Sequence, residues 1–301
     1  MARVKAVTQL TIKQFETLFP SEDACKTYLQ ARRWPEGVHC PRCGNVDVYP
    51  VTNRPFHWQC SKCAEKGGYR FSLLVGTIFE NTNKPLRDWF RVIHMMLTSK
   101  KGVSALQVKR VMGFGSYETA LYMCNRIRAG LSEHRPDKLG GIVEVDETYI
   151  GGKDKNKHWD KRSGGRGGSG SGKVGVIGAV QRKGKVVARV LKSVDGTSVA
   201  KFVREAISNK VSLLATDSWP GYVDLPATLP HEMVDHSKNQ YVVGAIHTNT
   251  IEGFWSLVKR GVVGTFHKVS AKYMPLYVAE FQFRYNNREN VDIFGAAIAR
   301  C

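Results

Sequence analysis

Three acids, a lysine and four cysteines are the residues of this 301-residue sequence whose types and spacing point to chemistry. Asp146 closes the apolar run in GIVEVDETYIGG. Asp217 closes LLATDSW seventy-one positions later, and Glu252 follows after a further thirty-five, within HTNTIEGFWSLVKR. A carboxylate at the end of an apolar run is costly unless something cationic answers it. Three of them together offer hard oxygen ligands, which suit magnesium or manganese. Two such ions roughly 3.5–4 Å apart neutralise charge and hold in-line geometry for phosphoryl transfer. Lys259 stands seven positions after Glu252, so a helix carries both on one face two turns apart, with the lysine able to grip a phosphate. Glu144, Glu147 and Asp224 lie near in sequence. Strand alternation gives Glu144 the face of Asp146 and turns Glu147 the other way. His247 and Asn249 precede Glu252. They either point into the same site or form the cap and turn before the helix.

The cysteines carry a second chemistry. Cys40-Pro-Arg-Cys43 and Cys60-Ser-Lys-Cys63 each form a tight knuckle that aims two thiolates at one point, and sixteen residues separate the inner pair. A hairpin between the knuckles would bring four thiolates around a tetrahedral, structural zinc ion. A segment this small has little core, so the metal would supply much of its stability. His39 and His57 are read as surface or supporting residues, because four thiolates already complete the site. Cys124 falls in an apolar helical pattern, and Cys25 and Cys301 are read as thiols without function.

The elements that must position these residues can be laid out in order. Residues 1–35 predict a helical lead, with Ser21 as a cap and Glu22 and Asp23 in the first turn. Leu29 and Trp34 are placed to cover the zinc ribbon, residues 36–75. Residues 76–138 predict a helical region. Trp89, Phe90, Ile93 and Leu97 form a core stripe from Pro85 onward, and two helices capped by Ser104 and Ser116 flank the breaks at Gly113 and Gly115. That pair is either a helix-turn-helix, with Lys109, Arg110, Arg126 and Arg128 as DNA-binding candidates, or an ordinary helical hairpin. From Gly140 the pattern turns to β: a strand, a hairpin around Lys183–Gly184, a helix over GTSVAKFVREAISNK capped by Thr197 or Ser198, then the strand LLATDSW. This order predicts a mixed α/β sheet over 139–290. A glycine-, serine- and lysine-rich insertion at 153–173 reads as a flexible basic loop, with His158 and Trp159 its bulky features. SAKYMPLYVAEFQFRYNNRE predicts an amphipathic helix, whose Arg284, Asn286, Asn287 and Arg288 reach either DNA or structural partners. A short apolar tail occupies 291–301.

Forty-five Lys and Arg against twenty-six Asp and Glu give a formal charge of +19, spread over the length. That excess favours a polyanionic partner, with double-stranded DNA first and anionic membrane as the rival. No run of eighteen apolar residues is present to span a bilayer, and the first residues lack a signal-peptide core. Two CxxC pairs within an odd count of seven cysteines indicate a reducing compartment rather than a disulfide framework. The expected location is the cytoplasm.

CPRC with CSKC, VDETYIGGK, TDSWPGY and HTNTIEGFWSLVKRGVVGTFHKVSAKYMPLYVAEFQFRYNNR, in that order, resemble the bacterial insertion-sequence transposases of the acidic-triad (DDE) class. More narrowly, they resemble the group with an N-terminal zinc ribbon and an RNase H-like catalytic domain. The resemblance implies an RNase H-like mixed sheet flanked by helices, preceded by the zinc ribbon and a small helix-turn-helix-like domain. It implies that Asp146, Asp217 and Glu252 bind Mg2+ or Mn2+, that Lys259, beside Arg260, contacts DNA near the cleaved bond, and that protomers act together on paired ends. It also implies that the cytoplasm is a bacterial one, with the protein at the nucleoid. Members of the group vary at the third position, where some carry Asn or His. Asn249 and His247 therefore stand as alternatives to Glu252, which is preferred for its offset to Lys259. The expected reaction is metal-dependent hydrolysis at a transposon end, followed by transesterification of the freed 3′-OH into target DNA. A transposase-derived DNA-binding regulator and a nuclease limited to hydrolysis are the alternatives.

Overall fold

The computed structural model describes residues 9–63, 68–133, 135–152, 158–161, 173–226, 228–234 and 247–301. Most of the basic insertion at 153–173 lies outside these. The chain forms two compact units, one of residues 1–131 with 289–301, the other of residues 132–288.

In the first unit, α1 (Ile12–Leu18) starts from a capping box between Thr11 and Gln14, and α2 (Glu22–Arg33) from Ser21, whose hydroxyl accepts the Ala24 N–H. Phe15 and Phe19 pack with Phe294 of the C-terminal helix, Ile293–Arg300, and Phe19 and Phe294 both meet Phe90 of α3 (Leu86–Thr98). The apolar chain end thus belongs to the core of the N-terminal unit. Three antiparallel strands, β1 (Val48–Pro50), β2 (His57–Cys60) and β3 (Tyr69–Ser72), make the ribbon. Trp34 at the end of α2 meets Trp58 edge-on at 5.3 Å, and Trp58 stacks on Phe71 at 6.0 Å. These aromatic contacts seat the ribbon on the helical lead, because so small a sheet has little other apolar surface to bury. α4 (Ala105–Met112) ends at Gly113, whose left-handed φ of 66° makes the C-cap, and α5 (Tyr117–Leu131) follows after a four-residue turn with Ser116 accepting the Thr119 N–H. Ser104 and Ser116 cap as the sequence predicts.

Among its described residues the second unit holds a five-stranded mixed sheet. β4 (Leu139–Ile150) is central, with β5 (Val174–Gln181) antiparallel on one side and β6 (Val186–Val190) antiparallel beyond it. β7 (Ile207–Asp217) runs parallel to β4 on the other side, and β8 (His231–Val234) parallel to β7 at the edge. α6 (Gly196–Ala206) covers one face over Val143, Val145 and Ile177, with Tyr222 in the same cluster. α7 (Asn249–Gly261) and α8 (Met274–Asn286) cover the other face over Ile150, Val176 and Val180. α9 is the C-terminal helix Ile293–Arg300 already met in the first unit.

Two local details depart from the sequence reading. The cap of α6 is Asp195, whose carboxylate accepts the Ser198 N–H at 2.8 Å, rather than Thr197 or Ser198. The helix stops at Ala206, so Ile207–Lys210 open strand β7 instead of extending the helix. Parallel pairing with β4 sets Ile207 opposite Leu139 and Val211 opposite Gly141, a partnership that the amphipathic pattern does not reveal.

Candidate active site

Pairing places the first two acids. β4 and β7 align Glu144 with Ala215, and the same offset of seventy-one sets Asp146 level with Asp217. Asp217 is the last residue of β7. Asp146 lies just past the last residue that β4 pairs with β7, although β4 continues to Ile150 against β5. Asp146 is therefore an acid at the end of a strand pair rather than at the end of its own strand.

The third acid comes from α7, whose buried stripe is Ile251, Phe254, Trp255 and Val258. That stripe lies on β5 and β4. Its close approach is permitted at Gly178, the residue of β5 opposite Asp146, where an added Cβ would lie 2.7 Å from the Trp255 ring and 3.2 Å from Ile251 Cδ1. Glu252, exposed, accepts a hydrogen bond from Thr248 Oγ1 at 3.0 Å. Lys259 and Arg260 are exposed in the last turn of the same helix. Seven residues of helix put about 10 Å between Glu252 and Lys259 along the axis.

Electrostatics couple Asp146 to its neighbouring acids. Burial pushes the Asp146 carboxyl up to about 7, and the neighbouring charges of Glu147, Asp217 and Glu252 add to the rise. Burial also raises Glu147, with Asp217 contributing, while a hydrogen bond from Tyr222 Oη at 2.7 Å opposes it. Tyr222 itself is raised well above the ordinary phenol range by burial and by Glu147. A half-buried carboxyl among like charges is a site that a cation relieves, and its oxygens are the hard donors that magnesium or manganese prefer. The three acids are spread more widely than the thiolates described below, whose ligand atoms all lie within 4.8 Å and form the one such His, Cys, Asp and Glu group among the described residues.

The other candidates are placed as follows. His247 lies by Glu144: its Nδ1 is 3.2 Å from Glu144 Oε1, and its carbonyl accepts from Arg182 Nη2 at 3.0 Å. Asn249 is the exposed first residue of α7. Lys109 and Arg110 lie in the last turn of α4, with Arg110 exposed. Arg126 is held by the Glu80 carbonyl at 3.1 Å and by Tyr122 Oη at 2.6 Å. Arg128 is only 1 % exposed and donates to Asn125 Oδ1 at 3.2 Å. It sits on the stripe of Cys124, Ile127 and Leu131 that packs inward, so its guanidinium is not on the surface a duplex would meet. Asn286 pairs with both backbone groups of Val186 on the edge strand β6, and Arg288 donates to the Gly184 carbonyl, so both have structural partners. His158 bonds Asp160, and Trp159 is exposed.

In the ribbon, Cys40 Sγ lies 3.6 Å from Cys63 Sγ and Cys43 Sγ 3.8 Å from Cys60 Sγ. A tetrahedron with Zn–S bonds of about 2.3 Å has sulfur–sulfur edges of about 3.8 Å, so the four thiols fit structural zinc. Gly44, with φ of 71°, donates to the Cys40 carbonyl at 2.8 Å and closes the first knuckle.

Glu144 reads in the sequence as a neighbouring acid, and nothing local marks Arg182, Thr250, Tyr222 or Gly178. The alternation that pairs Glu144 with Asp146 was a usable signal. The others owe their positions to contacts more than thirty residues distant in sequence.

The strand order β6-β5-β4-β7-β8, with acids at adjacent ends of a parallel pair, defines an RNase H-like sheet, carried in one chain with a four-thiolate ribbon. Residues 138–286 match the ISXO2-like transposase domain, and residues 20–66 match the transposase zinc-ribbon domain. An uncharacterized protein in transposable element ISH50 of Halobacterium salinarum is 28% identical over 286 residues, which span 88% of this chain and 91% of that one. A chain from a cryoEM structure of the simian T-cell lymphotropic virus intasome, in complex with the PP2A regulatory subunit B56 gamma, is similar over 65% of each chain. Its identity of 14% and TM-score of 0.31 carry no structural inference. The chain belongs to the acidic-triad transposases that join an N-terminal zinc ribbon to an ISXO2-like catalytic domain. Among the described residues no helix is long and apolar enough to cross a membrane.

Proposed function

We propose that this chain is a DNA transposase that cuts a phosphodiester at a transposon end and joins the freed 3′-OH to target DNA, with Asp146, Asp217 and Glu252 as its catalytic acids. The observation that carries the proposal is the raised Asp146 carboxyl, which feels Asp217 from the neighbouring strand and Glu252 from the overlying helix. Magnesium or manganese held by these carboxylates would supply nucleophile activation and charge neutralisation for in-line displacement. Asp146 and Asp217 hold fixed positions because adjacent strands carry them. Glu252 approaches from α7, whose Thr248 orients its carboxylate. Lys259, two turns on, grips a phosphate flanking the scissile bond. In the first step water bonds to phosphorus and the bond to the 3′ oxygen breaks, leaving a 3′-OH. In the second, that hydroxyl bonds to a target phosphorus and a target 3′ oxygen departs. Lys109, Arg110 and the exposed basic surface meet double-stranded DNA, chiefly through its phosphates. Two or more protomers act on paired terminal inverted repeats.

The test is strand transfer of a labelled terminal-repeat duplex into plasmid with magnesium, using the zinc-loaded full chain. Joined product that is lost in Asp217→Asn is the expected result. Cleavage without joining would reassign the chain as a nuclease. Binding without cleavage, unchanged by Asp217→Asn, would make it a transposase-derived regulator.

A further inference from the structure

We propose that Glu144 is a positioning residue that sets the location of Glu252 by capping helix α7 from the sheet. The inference rests on the reading of Asp146, Asp217 and Glu252 as one acid site. Glu144 is fully buried on β4. Its Oε2 accepts the backbone N–H groups of Thr250 at 2.8 Å and Ile251 at 3.0 Å. Its Oε1 accepts from Thr250 Oγ1 at 2.9 Å and Arg182 Nε at 2.7 Å, and His247 Nδ1 is 3.2 Å away. Arg182 also ties the backbone just before the helix through the His247 carbonyl.

The first turn of any helix leaves N–H groups without intrahelical partners, and a residue at the N-cap ordinarily answers them. Thr248, the N-cap of α7, makes no such bond, and its hydroxyl donates to Glu252 Oε1 instead. The carboxylate of Glu144 takes over the capping, and the helix dipole favours the negative charge there. One strand therefore holds Asp146 and, two residues earlier on the same face, the group that anchors the first turn of α7. Glu252 lies one residue past the second anchored amide, Ile251. The separation between the first and third acids thus passes through a short, buried, hydrogen-bonded path rather than through the hundred-odd residues of chain between them. Glu22 caps α3 in the same manner, accepting from Leu86 N–H at 2.8 Å and Arg87 N–H at 3.0 Å. Capping from another element is thus a structural device of this chain; at Glu144 it is joined to an acid site.

The test is a double-mutant cycle in the zinc-loaded full chain, read by Mn2+ binding in electron paramagnetic resonance and by thermal unfolding. Glu144→Gln removes acceptor capacity where several donors converge. It is expected to weaken Mn2+ binding about tenfold or more, the range seen when groups supporting metal ligands are altered. In a Glu252→Ala background the same change is expected to weaken it less than about twofold, because a residue acting through Glu252 has nothing left to position. If Glu144→Gln fails to fold, Thr250→Val removes one hydroxyl donor and keeps the backbone bonds. Its effect is about fivefold, with the same dependence on background. Equal losses in both backgrounds, or a lower melting temperature with Mn2+ binding intact, overturn the positioning role. If Asp217→Asn and Glu252→Ala both leave Mn2+ binding unchanged, the acid-site reading itself falls, and this proposal with it.

Discussion

Asp146→Asn is expected to stabilise the protein more at pH 8 than at pH 5.5 when no magnesium is present. Burial and the charges of Glu147, Asp217 and Glu252 raise its carboxyl from 3.8 to about 7. Between those values the folded state holds a proton that the unfolded state has released. The folded state therefore binds more protons, and stability falls as pH rises through the window, with the loss complete above 7. At about 1.4 kcal/mol per unit, the full penalty is at most roughly 4 kcal/mol. About half of it, on the order of 2 kcal/mol, accrues between pH 5.5 and 8. Asparagine has no proton to lose, so the difference between variant and wild type should move by that amount in favour of the variant. Urea unfolding of the zinc-loaded chain at both pH values measures it, and pH effects common to both proteins cancel. Saturating magnesium should reverse the order, since an ion that binds only the folded wild type stabilises it by mass action. A difference that is constant with pH, or that shifts against asparagine, would refute the claim that Asp146 sits in an uncompensated acidic cluster.

Gly178→Ala places a methyl 2.7 Å from the Trp255 ring, and a flat, packed indole has little room to yield. We expect a loss of about 1–3 kcal/mol in stability, as for other overpacked cores. Strand transfer should fall by more than the unfolded fraction explains, because α7 carries Glu252; joining in proportion to folded protein would separate the helix contact from the site. Zinc removal with a zinc-selective chelator should abolish the ribbon, seen as a red shift of the Trp34 and Trp58 fluorescence, because the metal supplies folding energy that three short strands lack. Cys43→Ser should bring the same shift without chelator, and an unchanged spectrum in either experiment would remove zinc from the account.

The chemistry of the cysteines was legible in the sequence, because a CxxC knuckle is local: two residues of spacing fix where both sulfurs point. Strands β4, β5 and β6 and the helix starts capped by Ser21, Ser104 and Ser116 were legible for the same reason, since alternation and caps act within a few residues. Asp146 and Asp217 were visible as acids interrupting apolar runs, and Lys259 by its helical offset from Glu252. Tertiary structure alone decided what joins distant segments. It paired β4 with β7 so that a seventy-one-residue offset became a single level of the sheet. It opened Gly178 to Trp255, returned the C-terminal helix to the first unit, and buried Arg128, whose basic side chain reads in sequence like any surface cation. It also converted Glu144 from one more nearby acid into the cap of α7. Charge and hydropathy patterns specify which groups want partners. The partner itself is fixed by packing across the sheet, where residues a hundred positions apart compete for the same few ångströms.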